Sequence, residues 1–452
     1  MMDRFGRRDR RGGFMASSAP PSNSPSRTRA TTRVAPTRAW SVGTMADGPL
    51  HGIRILDLTH VWAGPLATRV LADLGATVVK IEGPLSRGPR RYRGGLSIGG
   101  WIGGTTPLEP WNLNAVFVKL QRNKQSVAID LKARDGRETF LELAREADVV
   151  IENFSARAMP DLGLDYDDIA AVNPQIIYVA IPGYGKTGPY RERVAFGPSV
   201  EGLSGLTNVM GYSAAEPRNT AMALMDPITS VNATAAVLDA LRRRERTGKG
   251  AYVEMSLHEG GVSYSGPWLI EHQLGGKIET IGNRHPQMAP HGVYPCAGDD
   301  AWIAVTCRDD GDWQALCGVV DGLQPHANLA TRFANHDDID EAIARWASLR
   351  SKERAARALQ AVGVPAGPVN VTPDMTSDPQ VRSRGFFVPI EPGPTPMPGS
   401  PIKMAGVGSD DWTPCPRLGN DNRAVLREWL DYDDARTAAL EEAGVLVDKP
   451  PK

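Results

Sequence analysis

Apolar and polar positions alternate along the chain in a pattern that predicts parallel strands connected by helices. Residues 52–58 form a short, β-branched apolar run, which is typical of a buried strand. Apolar side chains then recur at helical spacing over residues 66–74, with Pro65 near the first turn and Gly75 as the stop signal. Residues 76–82 form a second apolar run. A strand, a helix and a strand within about 30 residues predict a βαβ unit with a parallel sheet.

The same alternation continues as far as residue 260. Further strands are predicted at residues 126–132, 147–154, 176–185 and 251–257, and further helices at residues 135–145, 166–172 and 227–246. Residues 83–110 are rich in Gly, Pro and Arg and are predicted to form a long loop. Strands that alternate with helices in this order indicate an α/β fold with a Rossmann-like parallel sheet.

Beyond residue 260 the pattern changes and predicts a smaller α/β unit. This unit is expected to contain strands at residues 301–307 and 364–370 and helices at residues 311–320 and 338–360. The polar segment 282–296 precedes these elements, and we expect it to act as a lid with Gly282 and Gly292 as hinges. From Asp378 onward the chain is predicted to be mostly loop, with one final helix at residues 421–431.

Composition and charge place the chain among globular proteins. The 452 residues are 41% hydrophobic and 23% charged, and the chain is too long for a single ordinary core. The formal net charge of −1 provides no general attraction for nucleic acid. The charge is uneven, because residues 1–44 contain nine Arg and two acidic residues. We expect this basic head, rich in Ser and Pro, to be disordered and to precede the true start of the protein near Met45.

Cysteine and histidine spacing gives no sign of a metal site. The four cysteines contain no CxxC pair, and the eight histidines show no spacing typical of metal ligands. A chain of this size does not need disulfides, which suits a reducing compartment. No run approaches the roughly 18 apolar residues that a membrane span requires. We therefore expect a cytoplasmic protein that binds no metal, no membrane and no nucleic acid.

Candidate ligand-binding segments follow the predicted strands at the edge where parallel strands end. They are residues 59–65, 83–93, 152–157 and 183–190. Together they supply glycines, arginines and backbone N–H groups at helix N-termini, which suit a phosphate-bearing nucleotide. Glu82 lies where a dinucleotide dehydrogenase would place its ribose-binding acid. That class is disfavoured, because Trp62 and Pro65 stand where its GxGxxG motif needs glycine.

Five motifs, in order, carry a family resemblance. Residues 52–84, GIRILDLTHVWAGPLATRVLADLGATVVKIEGP, resemble the N-terminal signature of class III (CaiB/BaiF) CoA-transferases, which include formyl-CoA transferase and carnitine CoA-transferase. The resemblance continues with RNKQSVAIDLK, ADVVIENF, DLGLDYDDIAAVNPQIIYVAIPGYGKTGPY and ALRRRERTGKGAYVEMSLHE, and it extends from Leu50 to Val371. It implies an enzyme that moves coenzyme A from an acyl-CoA donor to a small carboxylic acid.

The resemblance also implies an architecture. It predicts an intertwined homodimer of two interlocked rings, in which both ends of each chain build the large domain. We accordingly expect a disordered basic extension (1–47), the first part of a large Rossmann-like CoA-binding domain (48–259), a small α/β domain with linkers (260–371), and a return segment with the C-terminal tail (372–452). A heteromer with a related subunit is an open alternative.

An aspartate nucleophile is a further implication of the resemblance, and it matches Asp226 in the segment MALMDP. From the residues alone, Asp226 followed by Pro227 indicates a helix N-cap with proline at the first helical position. The two roles are compatible, because a helix N-terminus keeps a carboxylate ionised. The expected course is attack of Asp226 on the donor thioester, a mixed anhydride, and then an enzyme–CoA thioester.

The residues that the resemblance assigns to CoA lie in three of the motifs. They are His60, Val61, Ala63, Ile129, Lys132, Asn153 and Phe154. Lys132, at the end of the third strand, is expected to meet a phosphate, although a solvated lysine is an equally good interpretation. His60 taken alone would be interpreted as a turn histidine. Arg90 and Arg91 are added as candidate CoA contacts because they lie in the basic loop.

The chain departs from the family pattern at three places. Asp161 and Gly83 stand where basic residues are usual, and residues 418–422 read LGNDN where the family has an LGEHT-like motif. We therefore expect other cations to contribute to CoA binding.

Acyl-CoA racemases share this fold and are the main alternative. They place a catalytic acid seven residues before a Ser-Gly pair, which here is Ser204-Gly205. The corresponding position is Gly197, so one of the two acid/base groups needed for racemisation is missing. Glu201 is the only carboxylate nearby, and we predict that it lies on a helix surface. A CoA-ester isomerase and a non-catalytic CoA-binding subunit remain open alternatives.

Overall fold

The computed structural model describes residues 48–84, 109–112, 114–220, 222–390 and 397–450. The expected basic extension, the basic-loop residues Arg90 and Arg91, and most of the predicted loop 83–110 lie outside these residues.

A six-stranded sheet forms the centre of the described chain. Its strands are β1 (Arg54–Asp57), β2 (Thr77–Glu82), β3 (Lys124–Ala128), β4 (Val149–Glu152), β5 (Ile177–Ala180) and β6 (Ala251–Glu254). All neighbouring strands are parallel, in the order β3-β2-β1-β4-β5-β6, which confirms the predicted parallel sheet. The chain reverses its direction of progress between β1 and β4, and open parallel sheets bind ligands in the crevice at such a point.

Helices cover both faces of this sheet. They are α1 (Ala63–Asp73), α2 (Ala115–Leu120), α3 (Arg134–Arg145), α4 (Ala158–Leu162), α5 (Tyr166–Val172), α6 (Gly197–Leu203), α7 (Leu206–Val209), α8 (Met225–Thr247), α9 (Leu257–Tyr264) and α10 (Gly266–Gln273). Among the described helices, none is long and apolar enough to cross a membrane.

The central strands are apolar along their whole length because both of their faces are covered. Val149 and Ile151 of β4 pack with α1 and α8, whereas Val150, between them, packs with α3 and α5 on the other face. The continuous apolar runs in the sequence therefore correspond to strands buried on two sides.

A second, antiparallel sheet follows. It consists of β7 (His291–Pro295), β8 (Trp302–Thr306) and β9 (Ala366–Val369), and it is accompanied by α11 (Asp310–Cys317), α12 (Leu329–Ala334), α13 (His336–Ser348) and α14 (Lys352–Ala361). The helix predicted at 338–360 is thus two helices, because Ser351 caps the second by accepting a hydrogen bond from the Arg354 N–H group. Gly292 is paired with Val305 in the sheet, so its prediction as a lid hinge is wrong.

The C-terminal part contains more regular structure than the sequence pattern predicts. Its elements are α15 (Thr372–Ser377), α16 (Pro379–Ser383), β10 (Phe387–Val388), β11 (Met397–Pro398), α17 (Asn422–Leu430) and α18 (Asp434–Glu442). The prediction of a single final helix is wrong. Asp431, with a φ of 54°, ends α17, and the side chain of Asp433 caps α18 by accepting from the Arg436 N–H group.

The C-terminal segment also covers the edge of the large sheet formed by β3. The Asp421 carboxylate accepts from the Ser126 N–H group at 2.7 Å, and the Asn422 side chain accepts from the Ala128 N–H group at 2.9 Å. The Val447 N–H group donates to the Ala128 carbonyl at 3.1 Å. An open strand edge would expose these backbone groups, and the return of the chain satisfies them. The unusual LGNDN sequence therefore has a structural task at β3.

Charged side chains are buried under the end of β1. Asp57 is fully buried and accepts hydrogen bonds from the Thr59 N–H group at 2.8 Å and from the Lys124 ammonium at 2.9 Å. The Thr59 and Thr68 hydroxyls also donate to it, and Lys80 lies 3.8 Å away. Burial alone would raise the pKa of Asp57, but the two lysines and the two hydroxyls hold that pKa well below its usual range.

Replacement of Lys124 by Met should lower the free energy of unfolding by about 3–5 kcal/mol, because Asp57 would stay buried without its nearest cation. Urea denaturation followed by circular dichroism measures this change. Lys249 is exposed, and a matched Lys249→Met variant should change stability by less than about 0.5 kcal/mol. A Lys124→Met variant as stable as this control would contradict the role given to the pair.

Candidate active site

Asp226 lies where the N-termini of α1 and α8 meet. It is 8% exposed, and the backbone of Ala63 faces its carboxylate closely enough to lower its pKa. The Ser230 hydroxyl, one turn further along α8, donates to the Ala63 carbonyl at 2.6 Å. The predicted N-cap role is corrected, because α8 begins at Met225 after Leu224, and Asp226 is its second residue. The helix N-terminus still places its partial positive charge beside the carboxylate.

The environment of Asp226 changes its acidity. Burial raises the pKa of Asp226 to about 6, and the backbone of Ala63 opposes this rise. The group is therefore still mainly a carboxylate at neutral pH, yet it is more basic than an ordinary aspartate. A more basic carboxylate is a stronger nucleophile towards an acyl carbon.

Gly197 leaves the space that the Asp226 carboxylate occupies. A Cβ atom added at Gly197 would lie 2.1 Å from Oδ2 of Asp226 and 2.7 Å from Cβ of Ala223. Both distances are far below van der Waals contact, so a side chain at position 197 and the observed carboxylate exclude each other. The observed position of the Asp226 carboxylate therefore requires that residue 197 has no side chain, and so no acid.

Glu201 is fully buried, so the prediction of a helix-surface position is wrong. Its carboxylate accepts hydrogen bonds from the Thr220 N–H group at 2.5 Å and from the Thr220 hydroxyl at 2.8 Å. The same hydroxyl oxygen accepts from the Leu224 N–H group at 3.2 Å, immediately before α8. Glu201 thus ties the segment that precedes Asp226 to α6, and it is engaged in structure.

The segment that follows β1, residues 59–65, is called the first tip, and hydrogen bonds join it to the segment after β4. The His60 N–H group donates to the side-chain oxygen of Asn153 at 2.7 Å, and the Asn153 amide donates to the His60 carbonyl at 2.8 Å. The His60 and Phe154 rings lie 5.3 Å apart. Val61 is half exposed and has a φ of 66°, which is strained for a β-branched residue. These predicted CoA residues therefore form one group, next to Ala63.

Ile129 and Lys132 occupy different positions from those predicted. β3 ends at Ala128, so both residues follow the strand and do not belong to it. Ile129 is fully buried, so its side chain is not accessible to a ligand. Its N–H group donates to the Glu82 carbonyl. Lys132 is exposed in the turn before α3.

A buried ionic group at the fifth strand was missed by sequence reasoning. Lys186, in the glycine turn, lies 3.1 Å from the buried Glu152 carboxylate and 3.0 Å from that of Asp165. Burial raises the pKa of Glu152, while Lys186 acts to lower it. The Lys186 N–H group also donates to Glu254 at 2.7 Å. A charged residue that ends an apolar strand, as Glu152 does, is the sequence signal that such a partner exists.

The C-terminal part of the described chain lines a cavity that does not involve the predicted site residues. A cavity of about 950 Å³ is lined by C-terminal residues together with Trp111, and its lining includes none of the predicted site residues. Within the described ranges, no group of three or more His, Cys, Asp or Glu side chains is placed to hold a metal ion.

Comparison with known sequences points to one family. Residues 50–422 match the family model described as CoA-transferase family III. The chain is 33% identical over 392 residues to an acetyl-CoA:oxalate CoA-transferase from Acetobacter aceti, a match that covers 84% of this chain and 96% of the relative. It is 32% identical over 390 residues to a succinate–glutarate CoA-transferase from Agrobacterium fabrum, with 84% and 95% covered.

Comparison with solved structures agrees. The fold is similar to the crystal structure of a CaiB/BaiF family protein from Brucella suis, with a TM-score of 0.75 and 30% identity. The match covers 84% of this chain and 99% of that chain. The family resemblance carried by the five motifs and the α/β fold class are therefore confirmed.

Replacement of Gly197 by Ala should lower the free energy of unfolding by about 1–3 kcal/mol, because the new methyl group would displace the Asp226 carboxylate or the Ala223 turn. Thermal denaturation checks this expectation. Gly202→Ala, in the same helix, is the matched control, since its Cβ would meet only the Thr207 hydroxyl at 3.8 Å. That variant should be unchanged or more stable, and equal effects at the two positions would contradict the packing argument.

Proposed function

Because the chain belongs to CoA-transferase family III and moves coenzyme A between acyl groups, we propose that Asp226 holds CoA as a thioester between the two halves of the reaction. The observation that carries this proposal is the placement of Asp226, whose carboxylate is buried in the first turn of α8, where Ser230 joins that helix to the start of α1. The family's substrates are CoA thioesters and carboxylic acids, and the relatives named above act on small acids such as oxalate and glutarate.

Four substitutions at acyl carbons complete the proposed exchange. The Asp226 carboxylate attacks the donor thioester, and this attack forms a mixed anhydride and releases the CoA thiolate. The thiolate attacks the aspartyl carbonyl, so that the donor acid leaves and CoA remains on Asp226. The acceptor carboxylate then attacks this thioester and regenerates an anhydride and free thiolate. Attack of the thiolate on the acceptor's acyl carbon yields the new acyl-CoA and restores Asp226.

Backbone groups around Asp226 suit the charge that these steps create. Each attack places negative charge on a carbonyl oxygen, and the backbone of Ala63 and the first turn of α8 supply fixed dipoles at that position. Such dipoles need no reorganisation when the charge develops. Burial of the carboxylate also keeps water away from an anhydride that would otherwise hydrolyse.

CoA is proposed to lie along the first tip, on His60, Val61 and Ala63, with Asn153 and Phe154 beside it. The reciprocal hydrogen bonds between His60 and Asn153 support this proposal, because they hold both segments at the sheet edge next to Asp226. We retain Lys132, which is exposed, as a phosphate contact, and Ile129 as a backbone neighbour only.

The packing around Gly197 favours transfer over racemisation. A racemase acid at this position would occupy the space of the Asp226 carboxylate. Glu201, the other nearby carboxylate, is bonded to Thr220 and fully buried. Neither residue offers the second acid/base group that proton exchange at an α-carbon requires.

A homodimer is proposed on the basis of an apolar surface around α10. No residue of this helix is buried, and Leu269, Ile270 and Leu274 are 45%, 60% and 83% exposed. An apolar helix face of this kind marks an interaction surface. Light scattering after gel filtration should give twice the chain mass of 48.7 kDa. A monomer at micromolar concentration would contradict the proposal, and a second polypeptide in the native complex would indicate a heteromer.

Replacement of Asp226 by Ala should reduce CoA transfer by more than about a thousandfold while CoA still binds. Transfer between an acyl-CoA and a panel of carboxylic acids is followed by mass spectrometry. In the parent enzyme, hydroxylamine or borohydride added during turnover should modify Asp226, because both reagents attack a thioester. Asp239→Ala, at an exposed position of the same helix, is the matched control.

The pH profile distinguishes a nucleophile from a structural residue. The deprotonated carboxylate attacks, so the transfer rate should rise with pH and reach half its maximum near the raised pKa of Asp226, about 6. Trapping at another residue, or undiminished transfer by Asp226→Ala, would overturn the mechanism.

A further inference from the structure

Lys119, at the end of α2, is a half-buried cation without a counter-ion among the described residues. Its ammonium lies 4.8 Å from the centre of the Trp62 ring, and in the described part of the chain it makes no ion pair and no hydrogen bond. Burial lowers the pKa of Lys119, and the neighbouring Arg69 guanidinium lowers it further. A cation in such surroundings gains from any anion that reaches it.

The side chains around Lys119 add to the excess of positive charge. Arg69 donates to the Lys119 carbonyl at 3.4 Å and is 6% exposed. In the described residues, the ion pairs of both Arg69 and Arg122 are with one carboxylate, that of Asp73. Arg122 holds this carboxylate through two hydrogen bonds of 2.9 and 2.6 Å. One acid thus serves two guanidinium groups, and the part of the chain that the structure describes supplies no acid to Lys119.

This positive group contacts Trp62, at the start of α1. Trp62, which lies against the Lys119 ammonium, immediately precedes Ala63, whose carbonyl accepts a hydrogen bond from the Ser230 hydroxyl, one turn beyond Asp226 on α8. Trp62 therefore links the Lys119 ammonium to the segment beside the start of α8. The indole N–H group of Trp62 is also buried without an acceptor in the described residues. The Lys119 ammonium and the Trp62 indole are thus two neighbouring donors for which the described residues provide no acceptor.

We propose that Lys119 and Trp62 form a subsite for the second carboxylate of a dicarboxylic acid, whose first carboxylate exchanges CoA at Asp226. The inference rests on the proposed function and specifies its substrate class. A dicarboxylic acid retains one free carboxylate when the other is joined to CoA. The subsite therefore holds the acceptor acid and its CoA thioester alike. Trp62 provides an apolar surface for the methylene groups between the two carboxylates.

A monocarboxylic acid of the same length fits this surface less well. Its terminal methyl group would lie beside the ammonium and displace water from it without a compensating hydrogen bond. The predicted discrimination is therefore between acids of equal carbon number that differ in one carboxylate.

Succinate and butyrate, and the corresponding pairs of two to six carbons, test this prediction as acceptors, with acetyl-CoA and succinyl-CoA as donors. The parent enzyme should prefer the diacid of at least one pair. Lys119→Met should reduce the diacid-to-monoacid ratio of kcat/KM by roughly tenfold to a hundredfold, mainly through KM, because a charge-assisted hydrogen bond is lost. Lys119→Arg should restore much of the ratio, since it keeps the charge. The exposed Lys249→Met should leave the ratio at the parental value.

A binding measurement accompanies the kinetics. Calorimetric titration of the preferred diacid into the parent enzyme should show binding that Lys119→Met weakens by the same factor, while CoA affinity shows that the variant is folded. A parental preference for monoacids, or an equal loss of both acids in Lys119→Met, would overturn the subsite and leave the role of Asp226 intact. Absence of transfer to every acid would instead refute the proposed function and the subsite with it.

Discussion

The buried ion pair between Asp57 and Lys124 is the interaction on which the candidate site depends. Asp57 accepts a hydrogen bond from the Thr59 N–H group, and Lys124 donates to the Pro65 carbonyl at 3.1 Å. Both ends of the first tip are therefore tied to one pair beneath it. The backbone of Ala63 that faces Asp226 lies between those ends. Burying two charges is costly, and a full set of hydrogen bonds makes this pair tolerable and its geometry specific.

Burial of the Asp226 carboxylate lowers the stability of the fold and raises the reactivity of the group. Burial raises its pKa from an ordinary value of 3.8 to about 6 in the folded protein. Since the folded state disfavours the charged form, the carboxylate reduces stability by roughly 2–3 kcal/mol at neutral pH, at 1.36 kcal/mol per pKa unit. This cost is absent below pH 3.8, grows as the pH rises through about 6, and is constant above that range. The same burial makes the carboxylate basic and keeps water from the acyl intermediates.

The rest of the architecture holds the two helix N-termini together at this point. The switch in strand order between β1 and β4 brings the first tip beside Asn153, and the return of the C-terminal segment closes the sheet at β3. Gly197 and Glu201, both on α6, help to place Asp226 in different ways. The glycine provides space for the Asp226 carboxylate, and the glutamate fixes the segment that leads into α8. These contributions come from segments that are far apart in sequence, so the site depends on the whole fold.

The sequence alone determined the parallel sheet, most of its helices and the identity of the family, because strand and helix periods and short motifs are local properties. It also indicated Asp226 as the candidate nucleophile through a family motif. It did not indicate that Lys124 pairs with Asp57, that Glu201 is buried, or that β3 stops at Ala128. These facts depend on partners that are not neighbours in sequence, such as Leu446, which pairs with Ile129. A charged side chain in an apolar run shows that a partner exists, but only the tertiary structure decides which one, because burial and pairing energies depend on distances in space.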